Sequence, residues 1–325
     1  MDIFTGGDAD EIITPAHIPA TVALSGMRHS SDDDLITGGT GADTIDGGRG
    51  DDTIDGGLGA DLLSGGAGED IFVWNPGDGG DTIDGGRGDD TLLLRTANVA
   101  EQISVLDFGG HAVVTRAGDT LDLDNVEHLR FGGSGGADTF FIAGLEGTDV
   151  ERVDIDLGLA GGAGDGAVDT VSAIGGATRD RVVIGGTAET TTAKGLSAVF
   201  SVHHGEAMDR FVINTLDGDD VLDASDFGGG VGLALWGGNG SDKFVFSSGG
   251  AQNIRVMDFQ ADGVGDDADR IVLKDFADAN FTQAIANHHI VQSGADVVIA
   301  DGSGLVVTLQ DISLASLHAK DFLFG

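Results

Sequence analysis

The chain has 325 residues, with 16 Lys+Arg against 55 Asp+Glu, a formal net charge of −39, 57 Gly, 3 Pro and no Cys. That charge excludes nucleic acid and anionic membrane surfaces as partners, and self-repulsion opposes compaction until cations bind. No run of eighteen apolar residues and no basic region leading into an apolar one occurs, so neither a membrane span nor an N-terminal signal peptide is expected.

Residues 1–14 hold a degenerate nine-residue unit with Gly6, Gly7, Glu11 and Ile13. Residues 15–28 interrupt it with an apolar run over 18–24. This run reads either as a strand packed on the end of the domain or as an arm donated to a neighbouring molecule over an exposed sheet edge. Residues 29–37 form a glycine-poor unit that keeps Asp34 and Ile36.

From residue 38 the period becomes strict: GGTGADTID, GGRGDDTID, GGLGADLLS, GGAGEDIFV. Glycine stands at positions one, two and four (Gly38, Gly39, Gly41; Gly47, Gly48, Gly50; Gly56, Gly57, Gly59; Gly65, Gly66, Gly68). Aspartate stands at six (Asp43, Asp52, Asp61, Asp70) and an apolar residue at eight (Ile45, Ile54, Leu63, Phe72). After an inserted Trp74-Asn75 the register resumes as PGDGGDTID with Asp81, then as GGRGDDTLL with Gly85, Gly86, Gly88 and Asp90.

The GGxG segment is a tight turn whose glycines permit positive φ. The following DxUx, with U apolar, is a short strand with one side chain inward. A turn plus a strand in nine residues makes two repeats per coil, so repeat n stacks on n+2. Asp43 then lies beside Asp61 and Asp52 beside Asp70, with Asp81 and Asp90 continuing the rows.

Stacked carboxylates repel unless a cation lies between them. A donor set of carboxylate and backbone carbonyl, without His or Cys, suits Ca²⁺. One buried apolar side chain per nine residues does little to offset the ordering entropy, so metal binding is expected to be part of folding.

On these residues the chain resembles the RTX, or hemolysin-type calcium-binding, repeat family, whose nonapeptide is GGxGxDxUx. The resemblance covers 29–93, is patchy over 94–246 and returns in the tail. It implies a Ca²⁺-bound parallel β-roll, export by a type I secretion apparatus that reads an uncleaved C-terminal signal, and folding outside a Gram-negative cell.

Over 94–153 the strands lengthen into ISVLDF, HAVVTR, DTLDL, EHLRF and DTFFI. Nonapeptide turns recur at Asp138, Asp180 and Asp220, and at Gly237, Gly238, Gly240 and Asp242. The segment reads as a wider continuation of one right-handed solenoid, with calcium where the Gly-Asp turn persists. Helical periodicity is missing apart from one turn at 278–287.

In the last eighty residues VMDF, the loop DGVGDDAD and RIVLKDF resemble the segment that closes RTX rolls, and DVVIADGSGLVVTLQDI reads as two strands across a turn. The terminal SLASLHAKDFLFG resembles the tails of type I secretion substrates. The expected divisions are 1–28, an N-terminal degenerate repeat and arm; 29–93, the nonapeptide roll; 94–246, the wider solenoid; and 247–325, a C-terminal cap and secretion signal.

Catalytic patterns are weak. Gly132–Gly136 formally spells GxSxG around Ser134, but a nucleophile elbow needs a helix after it and ADTFFI follows. His203-His204 and His288-His289 are adjacent pairs that on a strand face opposite sides. Paired aspartates could suggest a glycosidase, yet sugar sites favour aromatic platforms and the chain has no Tyr and two Trp. Asp51, Asp89 and Asp219, at position five, read as solvent-facing charges. Repeats beginning almost at residue one leave no expected room for an upstream catalytic domain.

The expected fold class is all-β, a parallel β-roll or right-handed β-solenoid with stacked Ca²⁺ ions and a C-terminal β capping segment. The expected function is a secreted, non-enzymatic calcium-binding structural protein that self-associates head to tail, because the two ends of a solenoid differ and a contact between them does not close. A calcium-dependent adhesin or matrix-binding protein is the next reading, and a Ca²⁺-dependent polysaccharide-active enzyme or ester hydrolase follows.

Overall fold

A computed structural model describes residues 12–13, 33–133, 135–159, 161–249, 253–261 and 268–325. The arm at 15–28, Glu11, Ser134 and most of the DGVGDDAD loop lie outside the described residues. The chain divides into two compact units, Met1–Phe140 with Leu145–Asp156, and Phe141–Gly144 with Leu157–Gly325.

Fourteen strands run from the start of the first unit: β1 (Ile12–Ile13), β2 (Leu35–Thr40), β3 (Thr44–Asp46), β4 (Thr53–Leu58), β5 (Leu62–Ala67), β6 (Ile71–Trp74), β7 (Thr82–Arg87), β8 (Thr91–Arg95), β9 (Gln102–Phe108), β10 (His111–Arg116), β11 (Asp119–Asp124), β12 (His128–Gly132), β13 (Thr139–Ala143) and β14 (Arg152–Asp156). From β2 to β8 successive strands go to opposite sheets. In one sheet β2, β4, β6 and β8 pair in parallel, and in the other β3, β5 and β7 do so.

Register follows the period: Ile36 lies on Ile54 and Ile54 on Phe72, while Ile45 lies on Leu63 and Leu63 on Ile83. These U positions are all buried between the sheets. The repeat block is a parallel β-roll.

Glycine is required where one turn lies on the next. Gly59 has φ 157°, and a Cβ there would collide with the Gly41 carbonyl of the preceding coil. The Trp74-Asn75 insertion is absorbed by burying the indole, whose Nε1 donates to the Gly79 carbonyl at 3.0 Å while Arg116 lies over the ring at 5.6 Å.

Beyond β8 the structure departs from a uniform wider solenoid. Strands β9, β10 and β11 form an antiparallel meander, and β11 returns in parallel onto β7. The cause is the turns. Gly109-Gly110 (φ 74° and 98°) and Ala117-Gly118 (φ 52° and 101°) are two-residue loops with both φ positive, which reverse a strand within one sheet. Strand β12 then resumes parallel pairing on β8, and β14 on β12.

The later strands are β15 (Thr170–Ile174), β16 (Arg181–Gly186), β17 (Thr190–Lys194), β18 (Val199–His203), β19 (Arg210–Asn214), β20 (Val221–Asp226), β21 (Gly232–Trp236), β22 (Lys243–Ser247), β23 (Ile254–Val256), β24 (Arg270–Lys274), β25 (Ile290–Ser293), β26 (Asp296–Ala300), β27 (Val306–Leu309) and β28 (Phe322–Phe324). In the second unit β16–β17–β18 is another antiparallel meander, from which β20, β22, β24 and β28 continue in parallel. The facing sheet runs β15, β19, β21, β23 and β27 in parallel, with β26 and β25 added antiparallel.

The expected hairpin across DGSG is β26–β27. The expected helical turn is α1 (Phe281–Ala286), capped by the Asn280 side chain, which accepts the Gln283 N–H. The C-terminal tail folds as β28, with Phe322 stacked on Phe281 at 4.8 Å.

Candidate metal sites

Each aspartate at position six begins a strand just after its turn, which sets it at the edge of the roll. The structure brings these residues into two rows. In one, Asp34 donates its backbone N–H to Asp52 Oδ1, Asp52 to Asp70 Oδ1 and Asp70 to Asp90 Oδ1, at 2.7–2.8 Å. In the other, Asp43 donates to Asp61 Oδ1 and Asp61 to Asp81 Oδ1, at 2.8 and 2.9 Å. The step of 18 residues becomes 20 across the insertion and the rows survive it.

One oxygen of Asp52, Asp61, Asp70, Asp81 and Asp90 is thus committed to the neighbouring coil. The second oxygens of Asp52, Asp61, Asp70 and Asp90, and both oxygens of Asp43, are buried with no hydrogen-bond partner. An unpaired buried carboxylate oxygen is costly, so a partner is missing. Its position is marked by the first glycine of each turn. A Cβ on Gly38 would sit 2.7 Å from Asp43 Oδ2 and against the Gly56 carbonyl. A Cβ on Gly47 would meet Asp52 Oδ2 and the Gly65 carbonyl, and one on Gly65 would meet Asp70 Oδ2 and the Gly85 carbonyl.

Carboxylate and carbonyl oxygens from successive coils therefore converge on one space. Among the described residues no three His, Asp or Glu side chains form a cluster. The rows agree with that, since most donors here are main-chain oxygens, and such a set fits Ca²⁺.

Electrostatics point the same way. Burial, and then neighbouring carboxylates, push Asp52 and Asp81 up to about 7 and Asp61, Asp70 and Asp90 to about 6, against the backbone N–H bonds that pull them down. The rows end where the aspartate is replaced. Glu127 accepts the Asp90 N–H, and on the other edge buried Leu121 stands where the next aspartate would, beside Asp122, whose N–H binds the Asp81 carbonyl.

In the second unit Asp180 donates to Asp220 Oδ1, Asp220 to Asp242 Oδ1 and Asp242 to Asp269 Oδ1. Asp242 Oδ2 is again buried without a partner, beside the space next to Gly237. Asp138 Oδ1 likewise accepts a backbone N–H from the neighbouring coil, that of Glu101, at 2.9 Å, so a glutamate stands where the preceding aspartate of a row would.

Three buried aspartates escaped sequence reasoning. Asp269 ends the row just described, and Asp169 donates its N–H to Asp209 Oδ1 on the other sheet. Their signal was the triplet Asp-x-apolar at a strand start (Asp169-Thr170-Val171, Asp209-Arg210-Phe211, Asp269-Arg270-Ile271), without the glycines. Asp258 accepts the N–H groups of Gly237 and Gly238, a contact no local pattern announces. The position-five residues are exposed as expected but also bonded, with Asp51 Oδ1 taking the Glu69 N–H and Asp219 Oδ1 the Ser241 N–H.

A family description of the RTX calcium-binding nonapeptide repeat, in four copies, matches residues 30–63, 56–73 and 77–93. Residues 30–93 are RTX calcium-binding repeats. No curated protein matches the chain. Among solved structures the chain is similar to the extracellular lipase LipA from Serratia marcescens, at 20% identity over 88% of this chain and 40% of that one, with a TM-score of 0.26. The chain thus spans 40% of that lipase's length, and a likeness of this size says nothing about activity. The RTX repeats coincide with the regular aspartate rows, whereas the row from Asp180 to Asp269 lies beyond them.

Proposed function

We propose that this is a secreted, non-enzymatic β-roll that folds on multiple Ca²⁺ ions outside a Gram-negative cell, after type I export, and serves as an extracellular scaffold associating head to tail. The observation that carries the reading is the pair of aspartate rows, in which Asp52, Asp61, Asp70 and Asp90 each give one oxygen to the neighbouring coil and keep the other, buried and unbonded, for a cation. In the repeat block Asp34, Asp43, Asp52, Asp61, Asp70, Asp81 and Asp90 would hold the ions with the glycine carbonyls of the turns; Asp180, Asp220 and Asp242 would do so in the second unit. Bound calcium supplies charge neutralisation and cross-links successive coils. The rows assign their carboxylates to cohesion rather than to proton transfer, which supports a non-catalytic role.

Assembly is supported by the end of one row as the described residues define it. Among the described residues β3 pairs only with β5, and neither oxygen of Asp43 is taken. An edge of this kind accepts a further strand, and a second copy of the chain offers one of matching register.

The test is far-UV circular dichroism with sizing chromatography during calcium titration from chelator to millimolar. A coil-to-β transition followed by early elution is expected. A protein fully folded in chelator would overturn the calcium reading, and a strict monomer at high protein concentration in calcium would overturn assembly. Asp61→Ala should weaken two stacked turns together, and an unchanged calcium stoichiometry would contradict the ligand assignment.

A further inference from the structure

One face of the second unit runs against the charge of the whole chain. On the sheet of β15, β19, β21, β23 and β27, register sets Arg210 beside Gly232, Ala234 beside Arg255 and Asn214 beside Trp236. Arg210 and Arg255 stand on strands two apart, roughly 10–12 Å from each other at the backbone given ladder and residue spacing. The strand between them carries only Gly232 and Ala234 there, so a cleft of about 500 Å³ opens above it. Both arginines are exposed and neither makes an ion pair among the described residues, in a chain with 16 basic and 55 acidic side chains. The one acid lining this cleft, Asp209, is buried with its oxygens committed to the Asp169 and Glu206 N–H groups.

Trp236 closes one end of this cleft. This residue is 37% exposed, whereas the other tryptophan, Trp74, is buried in the first unit. Trp236 also lines a second cleft of about 280 Å³ with Asn214, Asn239 and Asp217. There Asn214 Oδ1 accepts the Leu216 N–H, which leaves its Nδ2 to donate, and Asn239 Nδ2 donates to Asp217, which leaves its Oδ1 to accept.

A flat apolar ring, flanked on one side by an amide donor and an amide acceptor and on the other by two guanidinium forks, matches one chemistry. A pyranose offers an apolar face to an indole and vicinal hydroxyls to amides, and a uronate adds a carboxylate that a guanidinium binds bidentately. We propose that this face binds an acidic polysaccharide, a pyranose chain bearing uronate carboxylates, with a ring on Trp236 and carboxylates on Arg210 and Arg255. The chain's net negative charge does not forbid it, since at physiological salt charges beyond about 8 Å are screened and the local arginines dominate. The proposal goes beyond the scaffold reading and does not depend on assembly.

The test is titration of the full chain, in saturating calcium, with a six-residue oligogalacturonate, followed by calorimetry and by tryptophan emission, where the exposed Trp236 is the responsive ring. Saturable binding with a change in emission is expected. Arg210→Gln with Arg255→Gln should raise Kd about tenfold or more, as loss of charge-assisted bonds implies, and Trp236→Ala should abolish binding. Circular dichroism of each variant in calcium keeps a folding failure apart from a binding failure. The proposal is overturned by no binding at millimolar ligand, by equal binding of neutral maltohexaose, by equal binding of a short polyglutamate, or by an unchanged Kd in the double arginine variant.

Discussion

The repeat block and the second unit use the same strand-and-turn grammar with opposite emphases. In β2, β3, β4, β5 and β7 each strand buries a single apolar side chain, and both edges carry aspartate rows. In the second unit β19 buries Phe211 and Ile213, β21 buries Leu233 and Leu235, and β22 buries Phe244, Val245 and Phe246. There the long aspartate row follows one edge, and its steps are 40, 22 and 27 residues instead of 18. Each fully buried side chain of this size contributes roughly 1.5–3 kcal/mol, so the second unit carries in its core what the repeat block must obtain from cations. The lesson is that a β-roll can lose its metal turns where the second inward position of a strand, glycine in β2, β4, β5 and β7, is taken by an apolar side chain as in β19 and β21.

The largest effect that would break this comparison is selective unfolding by chelator. Removing calcium should melt residues 38–93 while the second unit keeps its β structure. Hydrogen exchange read by mass spectrometry checks it: fast exchange confined to the repeat block is expected, and simultaneous loss of protection in β19–β22 would show that the two regions do not differ in this way.

Acid should partly replace calcium. In the folded block Asp52 and Asp81 are raised to about 7 and Asp61, Asp70 and Asp90 to about 6 by burial, while an unfolded aspartate titrates near 3.9. The folded state then holds protons that the unfolded state has released. This contribution to stability is complete below about pH 4 and is lost as pH rises through 6–7. In chelator, lowering pH from 8 to about 5 should restore β signal with a midpoint near 6–7. With calcium present the same acidification should weaken binding, because protons compete for the carboxylates. A chelated sample whose dichroism is flat from pH 8 to 5 would remove the link between buried carboxylates and folding.

The core side of the comparison predicts a smaller, calcium-independent effect. Phe244 is fully buried and lies 6.4 Å from the ring of Phe259. Phe244→Ala should cost about 3–5 kcal/mol, with the same loss in urea midpoint at any calcium level that keeps the second unit folded. A loss that calcium rescues would mean that metal, not packing, holds this region too.

How far the sequence could be read follows the same division. Where the period is strict, Asp43, Asp52, Asp61, Asp70, Asp81 and Asp90 were legible down to their stacking partners, because nine residues per half-coil leave one register. The first meander was announced as well, by Gly109-Gly110 and Ala117-Gly118 between alternating strands, but turn glycines in a chain with 57 glycines read as repeat turns. Asp169, Asp209 and Asp269 were not legible, because without the GGxG turn an aspartate before an apolar residue is too short a signal. Trp236, Arg210 and Arg255 converge only through cross-strand register, which the local pattern does not contain.

The finest test separates the two jobs of glycine within one turn. Gly39 has φ 109° with open space where a Cβ would go, so Gly39→Ala meets only backbone strain, about 1–2 kcal/mol. That strain should lower the apparent affinity of the whole block through folding and leave the number of bound ions unchanged. Gly47 has no such φ, but its Cβ would meet Asp52 Oδ2 and come within 2.8 Å of the Gly65 carbonyl. Gly47→Ala therefore fills the space assigned to a cation and should remove a site, which equilibrium dialysis against radioactive calcium reads as reduced stoichiometry. If both variants bind the full complement and differ only in affinity, the oxygens converging beside the first glycine are not ligands, and the missing partner of Asp52 Oδ2 lies elsewhere in the turn.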